Sequence, residues 1–208
     1  KTDTIDCYSI ARWLGTVEFK PHTSGFYHTY SLKSLTRLRE TLVKQRSFYL
    51  IKITNVLDII FPKFKPFFNN RLGATALYLL ENYGSSEKIS RMNSASYEHL
   101  RKLSRGKFSI QKFIKLKELA TNTVGESNEI FLMQLNSLLS LYRQCVSEIE
   151  SIEVQITKLI NNINPHYMTI PGIGPLSAAV IYAEFGDLSK FNSPAQMLSF
   201  AGLEPGYH

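Results

Sequence analysis

The sequence has 208 residues, of which 44% are hydrophobic and 20% are charged, as is typical of a globular protein of one or two domains. Its two cysteines, Cys7 and Cys145, stand far apart, which excludes a disulfide-rich fold and favours a reducing, cytoplasmic location. No apolar run reaches the roughly 18 residues that span a bilayer, and no signal peptide is visible, so no membrane partner is expected.

Positive charge is concentrated in the first part of the chain. Residues 1–120 contain 21 lysines and arginines against 9 acidic residues, whereas residues 121–208 contain 3 against 8. A basic segment of this kind favours a polyanionic partner, most simply a nucleic acid. The alternative is an ordinary basic protein whose lysines only face solvent.

The first predicted element is a short helix over residues 2–14. Asp3 and Asp6 lie three positions apart, so a helix places both carboxylates on one face. Hard oxygen ligands of this kind suit Mg²⁺. The ordinary alternative is that acidic residues in a first turn cap the helix and interact favourably with its dipole.

A loop containing Pro21 and Gly25 is expected next, followed by a long basic helix over residues 31–61 that Pro62 ends. Shorter helices are predicted over residues 72–83, from Ser94 or Ser96 to Gly106, and again after Gly106.

The clearest periodicity follows, in a helix predicted over residues 131–163. Its apolar residues alternate in steps of four and three, as in a coiled coil, and we call them the heptad seam. The seam consists of Phe131, Leu135, Leu138, Tyr142, Cys145, Ile149, Ile152, Ile156, Leu159 and Ile163. Its partner is either a second copy of the chain or the helix over residues 31–61. Asn164 and Pro165 end the helix, and the chain as a whole is predicted to be mainly α.

The segment IPGIGPLSAAV contains the most specific local motif. Gly172 and Gly174 allow tight backbone angles and close approach of another backbone, and Pro175 suits the first turn of a helix. Together with Ile173 they predict a helix-hairpin-helix turn whose N–H groups bind a DNA phosphate. The alternative is a glycine turn between two packed helices that binds nothing.

No catalytic triad is visible. The five histidines form no ligand pair, and neither Ser177 nor Ser199 has an activating partner in sequence. Ser193 followed by Pro194 is most simply a helix cap with proline at the first helical position.

These segments, in the order KTDTIDCYSIAR, LSRGKFSIQKFIKLKELATNTVG, the heptad helix and IPGIGPLSAAVIYAEFGDLSKFNSPAQMLSFAGLEP, resemble one family along essentially the whole chain. It comprises the insertion-sequence transposases of the "one-ten" group, which join a RuvC-like DEDD domain to a C-terminal transposase domain. Recent members are described as bridge-RNA-guided recombinases. Cys7 stands where the family commonly has alanine.

The resemblance implies a specific active site. Asp3 and Asp6 would be the last two acidic residues of the DEDD set and would bind Mg²⁺, and the other two would precede Lys1. The serine nucleophile would lie in a Ser-Gly shortly after AGLEP, beyond His208, so neither Ser193 nor Ser199 inherits its role. Residues 1–208 alone are therefore expected to be inactive as a recombinase.

The resemblance also implies a domain order. The end of the RuvC-like domain would occupy residues 1–20, a basic helical region 21–125, a coiled-coil helix 126–164, and the start of the transposase domain 165–208. DNA, a guide RNA and further copies of the chain, as a dimer or tetramer, would be partners in a nucleoid-associated bacterial protein. Two other functions are weighed against this one: a non-enzymatic helix-hairpin-helix DNA-binding module and a structural coiled-coil protein.

Overall fold

A computed structural model describes residues 3–16, 25–69, 71–126 and 128–203. Within these ranges the chain contains helices and no strand, which confirms the mainly α prediction. The α-helices are α1 (Asp3–Thr16), α2 (Gly25–Ile60), α3 (Phe64–Phe67), α4 (Ala74–Asn82), α5 (Ser86–Ser90), α6 (Ser94–Leu103), α7 (Ile110–Thr121), α8 (Glu129–Ile163), α9 (Pro175–Phe185) and α10 (Pro194–Phe200). None of the described helices is both long and apolar enough to cross a membrane.

Helix α2 begins earlier than predicted. The expected loop around Gly25 is already helical, and the part of that loop containing Pro21 lies outside the described residues. Ser31, where the predicted helix begins, is therefore inside α2. At the other end Ile60 is the last helical residue, two positions before Pro62, as proline requires.

Helices α2 and α8 run antiparallel over residues 37–155. Near one end Arg39 binds Glu153, with Nε 2.6 Å from Oε1. Near the other, the N–H of Glu126 donates to the carbonyl of Ile59 at 3.1 Å. Gly125 makes this crossing possible, because a Cβ there would lie 2.3 Å from the carbonyl oxygen of Ile60.

The chain divides into two compact units, one of residues 37–155 and one of residues 1–36 and 156–208. In the first, helices α3 to α7 add short amphipathic segments to the core provided by α2 and α8. The fully buried large side chains of this unit are Ile53, Leu57, Ile60, Phe61, Phe64, Leu79, Leu80, Ile89, Leu100, Leu116 and Leu135. Each contributes on the order of 1.5–3 kcal/mol through removal from water, which explains why such short helices stay folded.

Side-chain caps fix where several of these short helices begin. Ser85 accepts from the N–H of Lys88, Asn93 from that of Ser96, and Ser109 from that of Lys112. Helix α6 begins at Ser94, one of the two predicted starts, and its cap is Asn93. Helix α4 ends at Asn82, one residue before the predicted end at residue 83, and Gly84 follows with a φ of 69°.

In the second unit, α9 contacts the first part of α2 and packs against two neighbouring phenylalanine rings. Lys33 on α2 binds Glu184 on α9 at 2.7 Å. The rings of Phe185, Phe191 and Phe200 pack together, with centroids 5.4–6.1 Å apart. Every residue of α1, by contrast, is exposed, including Trp13 at 70%.

The heptad seam is largely covered within a single chain. Cys145, Ile149 and Ile152 are at most 8% exposed, and Ile156 is fully buried. The side of α8 away from the seam, for example Val154 at 63%, remains exposed. The seam is therefore covered by other residues of its own chain. This agrees with the predicted alternative of packing within one chain rather than with a second copy. Asn164, with φ of 45°, ends α8 as predicted.

Candidate functional site

The segment over residues 170–174, which we call the glycine turn, lies between a short 3₁₀ helix, His166–Thr169, and α9. Gly172 has a φ of 94°, a left-handed conformation that favours glycine. Gly174 has a φ of −80° and is the N-cap of α9, a geometry open to any residue. The expectation that both glycines are needed for backbone angles is therefore right for Gly172 and wrong for Gly174.

The start of α9 presents hydrogen-bond donors to solvent. The first helical bond runs from the N–H of Ala178 to the carbonyl of Gly174, at 2.9 Å. The N–H groups of Leu176 and Ser177 precede it and have no partner within the helix, and Pro175 has no N–H. Gly174 is exposed, and a Cβ built on it meets no atom within 4 Å. An anion could therefore reach these donors and the positive end of the helix dipole.

Tyr167 braces the turn, a contact that no sequence motif predicted. Its hydroxyl donates to the carbonyl of Ala178 at 3.2 Å, across the turn. Burial, together with the neighbouring Tyr182 and Asp187, raises the pKa of Tyr167 to about 12. The hydroxyl therefore stays protonated, and able to donate, throughout the physiological range.

The element before the glycine turn differs from the predicted helix-hairpin-helix frame. It is a four-residue 3₁₀ helix, not an α-helix. Ile173 is half-buried beneath the turn, and its N–H donates to the carbonyl of Ile170 at 3.1 Å, which closes the turn on itself.

Asp3 and Asp6 both lie in the first turn of α1 and are exposed, so the helical spacing predicted for them is confirmed. Their carboxylates are of the donor type that Mg²⁺ prefers, but a pair makes only part of a metal site. The described residues contain no group of three or more potential metal ligands. Because α1 is exposed throughout, the structure does not pack the acidic pair against the glycine turn.

The serines near the C-terminal AGLEP motif lie in helix α10 or at its start. Ser193 caps α10 by accepting from the N–H of Gln196 at 3.4 Å, with Pro194 at the first helical position, as predicted. Ser199 lies within α10. Gly202, with φ of 70°, follows the helix. The rest of the AGLEP segment, from Glu204 onward, lies outside the described residues.

Comparison with protein families gives two matches at opposite ends of the chain. Residues 1–62 match the IS110 DEDD model, described as "Transposase". Residues 165–208 match a model described as "Transposase IS116/IS110/IS902 family". The first match contains Asp3 and Asp6, the second contains the glycine turn, and residues 63–164 belong to neither.

A curated relative agrees with these matches. The chain is 30% identical over 77 residues to a protein of Pseudomonas aeruginosa named "Probable family 20 transposase". The alignment covers 33% of this chain and spans 23% of the relative's length.

Proposed function

We propose that this chain, which belongs to the IS110-type transposases, forms part of an enzyme that moves an insertion sequence by cutting and rejoining DNA. The observation that carries the proposal is that two separate segments of this chain, residues 1–62 and 165–208, match transposase family models. A non-enzymatic helix-hairpin-helix module, the alternative, would have no use for the DEDD segment.

The glycine turn is the DNA-backbone contact in this proposal. The N–H groups of Leu176 and Ser177 would donate to one phosphate, and Gly172, Ile173 and Gly174 would let the strand approach closely. Such contacts hold DNA in register without reading its sequence. The exposed position of Gly174, with open space around its Cα, supports this role.

The test is Gly174→Val in the 208-residue chain, with binding to a duplex DNA measured by fluorescence anisotropy. The fold should be unchanged, because Gly174 is exposed and a Cβ there meets no atom within 4 Å. Binding should weaken by about tenfold or more, since hydrogen bonds to charged groups contribute about 1.5–3 kcal/mol. Gly15→Val is the matched control, because Gly15 has equally open surroundings but lies on α1.

Unchanged helicity together with unchanged affinity for Gly174→Val would exclude the phosphate role of the turn. Equal losses for Gly174→Val and Gly15→Val would show an effect of adding valine to the surface rather than a specific contact.

Asp3 and Asp6 would hold a divalent cation, for which Mg²⁺ is the proposed ion, together with acidic residues contributed from outside residues 1–208. Bound there, the ion would neutralise charge that develops on the phosphoryl group during strand cleavage. What these two side chains supply themselves is a pair of anionic oxygens on one exposed helix face, available to ligands on another segment.

Strand exchange is proposed to pass through a phosphoserine. A serine Oγ would attack a DNA phosphorus, lose its proton, and displace a deoxyribose hydroxyl, which leaves the strand joined to the protein. The ester conserves the bond for rejoining. By resemblance this serine follows the AGLEP segment, and no serine within residues 1–208 is assigned the role.

The remaining partners follow from the charge distribution and the resemblance. The basic helical region over residues 21–125 would contact the backbones of a guide RNA and of DNA, where electrostatic attraction gives affinity with little sequence preference. A dimer or tetramer would bring acidic site and serine together across subunits. The proposed location is the bacterial cytoplasm, in association with the nucleoid.

A further inference from the structure

A basic cleft lies on the unit of residues 37–155, outside both matched transposase segments. It is open to solvent and has a volume of about 260 Å³. Arg71, the start of α4 at Gly73, Lys107 and Lys112 line it, together with the rings of Phe68 and Phe108. Its volume is below the roughly 300–1,000 Å³ of pockets that enclose whole small-molecule ligands. It therefore suits a single group, such as one phosphate, better than a complete metabolite.

Three cations from three different segments meet at this cleft. Arg71 precedes α4, Lys107 lies in the turn between α6 and α7, and Lys112 lies in the first turn of α7. All three are exposed. No carboxylate lines the cleft, and within the described ranges no acidic side chain pairs with any of them.

Some other cations of the same unit have polar partners. Arg91 binds Glu87 at 2.7 Å and Arg101 approaches Glu98 at 3.9 Å. Lys117 donates to the carbonyl of Met92 at 2.6 Å. Like charges held around one cleft repel one another, and an anion between them removes that cost. The cleft therefore carries unbalanced positive charge, which an anionic partner would neutralise.

The floor of the cleft is rigid. Phe108 is buried and stacks on Phe68, with ring centroids 6.4 Å apart and planes 17° from parallel. The N–H of Phe108 donates to the hydroxyl of Ser104 at 3.0 Å, which fixes the turn carrying Lys107. The positive end of α4 opens into the same space and adds to the attraction for an anion. A backbone held in this way loses less conformational freedom on binding.

We propose that this basic cleft binds a backbone phosphate of a nucleic acid and so anchors the middle unit on the strand that the transposase segments handle. The chemistry it recognises is a phosphodiester, from either RNA or DNA. The proposal deepens the proposed function, on which it rests, because it names the residues of the basic region that would hold the backbone and adds a contact outside both matched segments.

The test compares two triple variants of the full 208-residue chain. The cleft variant is Arg71→Gln, Lys107→Gln and Lys112→Gln. The control variant is Lys63→Gln, Lys88→Gln and Lys102→Gln, which removes the same charge from exposed residues of the same unit that do not line the cleft. Affinity for a structured RNA and for a duplex DNA is measured between 50 and 200 mM salt, with helicity and melting temperature as folding checks.

For at least one polymer, the cleft variant should bind on the order of tenfold more weakly at 50 mM salt than the control. Its slope of log affinity against log salt should be shallower by about 1, as expected for the loss of one neutralised phosphate. The polymer that responds identifies the strand. Equal behaviour of the two folded variants towards both polymers would overturn the proposal.

A chemical readout separates this site from the glycine turn. Bound polymer should protect Lys107 and Lys112 from acetylation, as measured by mass spectrometry, while Lys63 and Lys88 stay reactive. Gly174→Val tests the turn and leaves the cleft intact. If only Gly174→Val weakens binding, the cleft proposal fails and the proposed function stands. If only the cleft variant does, the cleft stands and the turn loses its role.

Discussion

At the scale of single residues, hydrogen bonds and backbone angles decide what the glycine turn can do. Gly172 supplies the left-handed angle, and Gly174 leaves space for an approaching strand. Tyr167 holds the preceding 3₁₀ helix against α9 through the carbonyl of Ala178. Sequence identified the glycines because few residues have such marked conformational preferences. It did not identify Tyr167, whose partner is a main-chain atom eleven residues away.

Tyr167→Phe tests this brace. The variant should lose about 1 kcal/mol of stability near neutral pH, the usual net contribution of one hydrogen bond. The folded pKa, about 12, is above the value of about 10 for an unfolded chain. The stabilisation by the protonated hydroxyl is therefore complete below pH 10 and is lost as the pH rises from 10 to 12.

The measurement is urea unfolding of both proteins between pH 8 and pH 12. The difference in stability between wild type and Tyr167→Phe should shrink across the upper part of this range. A difference that stayed constant with pH would show that the hydroxyl is not held as the structure indicates.

At the scale of elements, the sequence predicted most of what depends on local chemistry. Prolines and glycines set the ends of α2, α4 and α8 close to the observed positions, and heptad spacing identified α8. The short helices α3 and α5 were missed because four or five residues carry too little periodicity. The basic cleft was missed because Arg71, Lys107 and Lys112 meet only through the packing of three segments. Sequence also left the partner of the heptad seam open, because the same apolar spacing serves packing within one chain and pairing between two chains.

Burial of the seam within one chain predicts the effect of charging it. Ile149→Asp should lower the stability of the isolated chain by several kcal/mol, because it removes a buried side chain and buries a carboxylate without a partner. Val154→Asp is the matched control on the exposed face of the same helix and should change stability by less than about 0.5 kcal/mol.

Thermal unfolding by circular dichroism, together with mass in solution, checks this prediction. Stable, folded Ile149→Asp protein that changed only from oligomer to monomer would instead mean that the seam pairs between copies.

At the scale of the whole molecule, two segments that match transposase models flank a middle region that matches neither model. The matched segments lie at residues 1–62 and 165–208, and the basic residues are concentrated in the first 120 positions. The fold class could be predicted because the charge and heptad patterns extend over long stretches. The candidate metal site could be predicted only in part, because two carboxylates on one helix face need further ligands from another segment.

The 208-residue chain is predicted to bind duplex DNA without cutting or joining it, with Mg²⁺ present. The resemblance assigns the serine and two of the four acidic residues to positions outside residues 1–208. Gel assays with end-labelled duplexes would check this, alongside the complete reading frame and its Asp3→Asn variant. The complete protein should exchange strands and the variant should not. Strand joining by residues 1–208 alone would contradict the assignment of the nucleophile.

One of the two compact units is discontinuous in sequence, because residues 1–36 fold with residues 156–208. This has a consequence for how the protein is made. Residues 1–36 leave the ribosome before residues 37–155, but only the latter form a continuous unit that can fold as it emerges. Residues 1–36 must wait while about 120 more are added, on the order of ten seconds at typical rates of synthesis. During that interval Lys33 has no Glu184 to bind, and the apolar side chains of the early residues are available to chaperones.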